Sequence, residues 1–101
     1  MTAIEFVAEL HPGRTIREDV LAPLGMSVNA LAKELHIPTT RLNDVVRGRR
    51  GITADTALRL ARYLGTSAQF WLNLQSIYDL KLAENSSGGT IRKQVSPRRA
   101  A

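Results

Sequence analysis

Between Pro38 and Gly51 the chain reads PTTRLNDVVRGRRG, and its polar residues are of the types that read and grip nucleic acid. Arginine can bond the guanine edge twice over, asparagine can do the same for adenine, and a threonine methyl can meet the thymine methyl. Thr39, Thr40, Arg41 and Asn43 fall within five consecutive positions, and we expect them to read bases. Arg47, Arg49 and Arg50 crowd three guanidinium groups beside Gly48 and Gly51. From there they would reach phosphates and add salt-dependent affinity without reading sequence. Ser27, upstream, is expected to be a further phosphate ligand. Asp44 has no settled role, since a carboxylate near DNA is repelled unless it accepts from cytosine or holds an arginine.

These groups need a helix to carry them and a second helix to brace it. Leu42, Val45 and Val46 share one face of a helix that starts near Pro38 or Thr39 and stops at Gly48. That face would anchor to a core and leave Thr39, Thr40, Arg41, Asn43, Asp44 and Arg47 outward. Ahead of it, Ser27 can cap a short helix whose Val28, Leu31, Ala32 and Leu35 form one apolar stripe. The two helices meet at His36-Ile37-Pro38, the arrangement of a helix-turn-helix, in which the second helix enters the major groove.

Further elements follow the same logic. Thr15 to Glu18 fits a capping box for a first helix, which Pro23 should end near Leu21 or Ala22. Thr53 opens a helix with Ala57, Leu60, Ala61 and Leu64 inward, ended by Gly65. Thr66-Ser67-Ala68-Gln69 opens a last helix to about Glu84, with Trp71, Leu74 and Tyr78 on one face. Trp71, Leu74 and Tyr78 are expected to be core or dimer surface, and the apolar face left over suits two-fold pairing. Residues 1–10, with IEFVAEL, suit either a short strand or a helical start. Residues 85–101 combine Gly-Gly, serines and unopposed cations, and we expect a disordered basic tail. The expected fold is an all-α five-helix bundle, with residues 11–84 as its helix-turn-helix domain.

Composition narrows the function classes. A chain of 101 residues buries only about two-thirds of its unfolded surface, so a large enclosed active site is not expected. No nucleophile–base pair or metal set is visible: His11 and His36 stand alone, cysteine is absent, and Glu18-Asp19 are adjacent residues facing different directions. We expect no enzyme, no cofactor and no metal. MTAIEFVAEL lacks the basic start and long apolar stretch of a signal peptide, and no run approaches the roughly 20 apolar residues of a membrane span. A cytoplasmic protein is expected. The net charge of +5 is unevenly placed, since residues 1–84 hold ten Lys or Arg against nine Asp or Glu, a net of +1. Residues 41–62, with six arginines against Asp44 and Asp55, form the informative cluster.

The spacing of Ser27, Leu31-Ala32, Ile37, Leu42, Val45 and Gly48 resembles the lambda-repressor-like, or XRE, helix-turn-helix. More narrowly, His11-Pro12-Gly13 and RGRRGITADTALRLARYLGTSAQFWLNLQSIYDL at 47–80 are similar to the HigA (VapI-type) antitoxin family, over about residues 11–80. The resemblance implies a homodimeric repressor of its own operon, bound to an inverted-repeat operator. It also implies neutralisation of a HigB-type, RelE-like toxin, a ribosome-dependent messenger RNA endonuclease. The turn carries His36 where that class usually has glycine, so a left-handed backbone there would cost roughly 1 kcal/mol. Two other readings remain open, a plain helix-turn-helix regulator without a toxin and a helical adaptor whose arginines meet acidic protein partners.

Overall fold

Thr2 and Glu5 satisfy each other's backbone donors, at 3.1 and 3.3 Å, and so open the chain as a helix, α1 (Ala3–Glu9). This is the computed structural model of the chain, and it describes residues 2–99. The ambiguous N-terminal segment is thus helical.

Helix α2 spans residues 12–24 and begins one turn earlier than the Thr15 capping box would place it. Pro12 takes the first helical position, and the Nδ1 of His11 accepts the Gly13 N–H at 2.9 Å. Pro23 does not end the helix. Between α-helical turns Pro12–Thr15 and Ala22–Leu24 lies a π-helical segment, Ile16–Leu21, in which the Ala22 N–H reaches the Arg17 carbonyl. The wider turn moves aside the carbonyl that a proline ring would strike, and the helix continues until Gly25 turns left-handed (φ 62°).

The next elements follow the sequence pattern: α3 (Val28–Leu35), capped by Ser27 Oγ; α4 (Thr39–Val46); and α5 (Ala54–Leu64), capped by Thr53. Helix α6 (Ala68–Gln94) is capped by Ser67. Thr66, which the pattern offered as the cap, instead accepts the Trp71 indole N–H at 2.8 Å. These are six helices among the described residues, one more than expected, with no strand.

Helices α2 to α5 enclose one core, in which Ile16, Leu31, Ala32, Leu42, Ala57 and Leu60 are fully buried. The first half of α6 closes it. For that reason Trp71, expected as core or dimer surface, is core: it is 1% exposed within a single chain. Leu74 packs half-buried against the same core, and Tyr78 sets its ring edge-on to His11. The large apolar side chains of α6 that face solvent are Phe70, Ile77, Leu80, Leu82 and Ile91.

The tail expected to be disordered from residue 85 is helical as far as Gln94, and only residues 95–99 of the described chain leave the helix. Two glycines cost about 1 kcal/mol each relative to alanine, and several interactions oppose them. The Ser86 hydroxyl bonds back to the Leu82 and Ala83 carbonyls. Glu84 folds over Gly88 to meet Arg92, and Arg92 and Lys93 sit at the negative end of the helix dipole. Helix α1 also packs on α6 and supports its outer half. At 27 residues α6 is roughly 40 Å long, which is why the molecule extends 53 Å along its longest axis.

Candidate nucleic-acid interface

Helix α4 opens without any side-chain cap. Pro38 is its N-cap and has no side chain able to accept, so the first N–H groups of the helix point outward as donors, beside the positive end of its dipole. Leu42, Val45 and Val46 hold the opposite face in the core. Gly13 is what lets α4 lie so close to α2, since a Cβ there would strike the backbone oxygens of Val45 and Val46.

The turn between α3 and α4 is built to a fixed geometry. His36 takes the left-handed conformation (φ 56°, ψ 44°) that the usual glycine would adopt, and its N–H bonds to the Lys33 carbonyl. The Arg59 guanidinium, from α5, donates to the Leu35 carbonyl at 2.9 Å and so clasps the end of α3. Across the turn, the Thr39 hydroxyl donates to Asn29 Oδ1 at 2.7 Å and ties the start of α4 to α3.

The expected readers do not form a single set. Thr39 and Thr40 are exposed and Asn43 is half-buried on the outer side of α4. Arg41 leans away toward α5: its Nη2 donates to Thr56 Oγ1 at 2.6 Å and to Asp55 Oδ2 at 3.0 Å. Asp55 also accepts from Arg59 Nε at 2.9 Å. Those hydrogen bonds, from Arg59 first and Arg41 second, hold the Asp55 carboxyl below its ordinary pKa.

Of the expected phosphate ligands, Arg47, Arg49 and Arg50 are all exposed, and their guanidinium groups enter no ion pair among the described residues. The Arg49 and Arg50 N–H groups both bond to the Asp44 carbonyl, at 2.8 and 3.2 Å, so the loop folds back over the end of α4. Gly48 makes that turn possible with φ 76°. Ser27 is exposed, with its oxygen accepting the Ala30 N–H at 3.1 Å. An open cleft of about 770 Å³ runs beside the loop between Arg49, Arg50, Gln75 and Asp79.

His11 lies under this loop. Burial lowers its pKa, against the opposing pull of a backbone hydrogen bond with Arg50 and of the Asp79 carboxylate. A neutral ring is also what the cap requires, because Nδ1 must accept from Gly13.

Sequence reasoning missed the residues that position the site. Asn29, Thr56 and Gln75 are uncharged side chains whose partners are distant in sequence, and no local pattern marks them. The Asp55 to Arg59 spacing of one helical turn does suggest their pairing.

Comparison with known proteins gives the same architecture. The helix-turn-helix family model matches residues 16–71. Virulence-associated protein I of Dichelobacter nodosus is 60% identical over 75 residues, which cover 74% of this chain and 69% of that protein. The solved addiction module antidote protein of the HigA family from Coxiella burnetii is 51% identical. It covers 87% of this chain and 96% of its own, with a TM-score of 0.83. The Pseudomonas aeruginosa antitoxin HigA, solved with the higBA promoter, is 45% identical over 88% of this chain and 97% of its own, with a TM-score of 0.86. The chain belongs to the helix-turn-helix family, among the antitoxins of the HigA type.

Proposed function

We propose that this protein is the antitoxin of a HigBA-type toxin–antitoxin module: a homodimeric autorepressor that binds an inverted-repeat operator in double-stranded DNA and neutralises a RelE-like, RNA-cleaving toxin in the cytoplasm. The observation that carries the DNA-binding part is the uncapped start of α4, with Thr39, Thr40 and Asn43 outward and, at its other end, three arginines free of ion pairs among the described residues. Dipole and guanidinium groups both favour phosphate there, and the polar face between them is long enough to read a few base edges. The Pseudomonas aeruginosa relative was solved with the higBA promoter, which supports the reading that this chain binds promoter DNA.

In this reading Thr39, Thr40 and Asn43 touch bases, Arg47, Arg49, Arg50 and Ser27 touch phosphates, and Arg41 positions α4 against α5. Ile77, Leu80 and Ile91, half or more exposed, are among the α6 side chains available to a second copy. A dimer would set its two α4 helices about 34 Å apart, one helical turn of DNA. Gel-shift competition between the protein's own upstream sequence and random duplex tests the operator; at least a thousandfold preference is expected. Equal competition by the two duplexes would leave the adaptor reading in its place. Co-purification with the product of the adjacent reading frame tests the toxin: an inactive, co-eluting partner is expected, and a lone antitoxin from co-expression would refute that half.

A further inference from the structure

We infer that Gln75, on the helix that follows the DNA-binding unit, is the positioning residue that sets the arginine loop against the phosphate backbone. The inference rests on the DNA-binding reading above and adds to it a residue outside the helix-turn-helix. Gln75 Oε1 accepts the Ile52 N–H at 2.7 Å, and its Nε2 donates to Asp79 Oδ1 at 2.9 Å. The amide is therefore fixed in orientation, with the oxygen toward the loop. Gly51 makes room for it, because a Cβ at that position would lie 3.0 to 3.2 Å from the nitrogen, carbon and oxygen of the amide.

The loop is thus held at both ends by different elements. Its first half hangs from α4, through the Arg49 and Arg50 N–H groups on the Asp44 carbonyl. Its second half hangs from α6, through Ile52 on Gln75. The Ile52 side chain, 5% exposed, reaches into the core just beyond. Arg49 and Arg50 form the first attachment by their backbone N–H groups and have no side-chain ion pair among the described residues, so where their guanidinium groups point depends on the loop's backbone between there and Ile52. Cutting the α6 attachment lets both guanidinium groups wander without touching Thr39, Thr40 or Asn43.

Gln75→Leu removes both bonds at nearly constant size. We expect it to weaken the protein's own promoter and random duplex alike, by about tenfold, and to lower the salt slope by about one, the change expected when one fewer phosphate is neutralised. The ratio of the two affinities stays at the wild-type value. The Ile52 amide should exchange with solvent faster, while those of α3 and α4 do not change. The double variant Gln75→Glu with Asp79→Asn reverses the direction of one hydrogen bond, keeps both, and leaves the net charge unaltered; it should restore the wild-type slope. If Gln75→Leu does not fold, Gly51→Ala presses on the same amide from the loop side and should lower the slope in the same direction.

A wild-type slope and affinity for Gln75→Leu, a loss confined to the promoter, or a double variant that fails to restore binding would each overturn the role of Gln75 while leaving DNA binding intact. No duplex binding by the wild-type protein would overturn both.

Discussion

Arg41 decides how many of the outward groups on α4 are readers. Its Nη2 bonds to the Thr56 hydroxyl at 2.6 Å, and Thr56 is 1% exposed. A hydrogen bond from a charged donor at such a site contributes about 1.5–3 kcal/mol. The Asp55 limb lies in solvent and adds little. A two-bond contact with guanine would return about 1–3 kcal/mol of discrimination. The second range does not exceed the first, so a guanidinium that leaves Thr56 for a base gains nothing net. Arg41→Ala should therefore lower the free energy of unfolding by about 1.5–3 kcal/mol, while its promoter-to-random affinity ratio stays close to that of the wild type. Asn43→Ala should do the reverse, leaving stability nearly unchanged and lowering that ratio by about 5- to 150-fold. Urea unfolding followed by circular dichroism gives the first quantity, and competition gel shifts at one fixed salt concentration give the second. An unmoved unfolding midpoint together with a selective loss of promoter affinity in Arg41→Ala would refute this account and return Arg41 to the readers.

Four further outcomes follow from the packing. Gly13→Ala drives a Cβ into the Val45 and Val46 carbonyls and should cost about 3 kcal/mol or more through separation of α2 from α4, seen as a lower melting temperature. Trp71→Ala opens the core under α6 and should cost about 3–5 kcal/mol in urea unfolding; a change in oligomeric state at full stability would contradict its burial. His11 has a lowered pKa in the folded chain, so the unfolded chain binds its proton first. Stability is then whole above the unfolded value near 6.5 and declines as pH falls from there through the folded value. His11→Asn keeps an acceptor for Gly13 but does not titrate, and thermal melts should show a flatter profile below neutral pH; an unchanged slope would contradict this. His36→Gly relieves about 1 kcal/mol of left-handed strain but adds freedom to the unfolded chain, so a net gain of about 0.5 kcal/mol in urea unfolding is expected.

The helices nearest the site were legible because each begins and ends on local chemistry. Ser27 and Thr53 cap the helices after them, and Gly48 and Gly65 turn left-handed after the helices before them. Legibility failed where a distant partner overrode a local rule. Pro23 reads as a stop, but a π-helical turn upstream absorbs it. Gly88-Gly89 reads as a break, yet α1 and the Glu84–Arg92 bridge carry the helix on. Trp71 reads equally as core or as interface, because periodicity gives a face and does not say which neighbour covers it.

The site shows the same limit more sharply, since it is built from one residue type used in two ways. Arg17 donates to the Val46 carbonyl, Arg59 to the Leu35 carbonyl and Arg41 to Thr56, so each of these guanidinium groups ties helices together. Arg47, Arg49 and Arg50 form no such tie among the described residues and stand in solvent. Composition counts all six alike. What separates them is the presence of a carbonyl or hydroxyl within reach at an otherwise buried position. A buried acceptor takes a neighbouring arginine because leaving it unpaired costs about 1–3 kcal/mol, whereas an arginine on a glycine-flanked loop has only water to lose when a phosphate arrives. The division between arginines that hold the fold and arginines that can hold DNA is therefore set by buried acceptors, the helix-end carbonyls of Leu35 and Val46 and the Thr56 hydroxyl. The three left over stand at the end of α4 opposite the positive end of its dipole, so that guanidinium groups favour a phosphate at one end and the dipole favours one at the other.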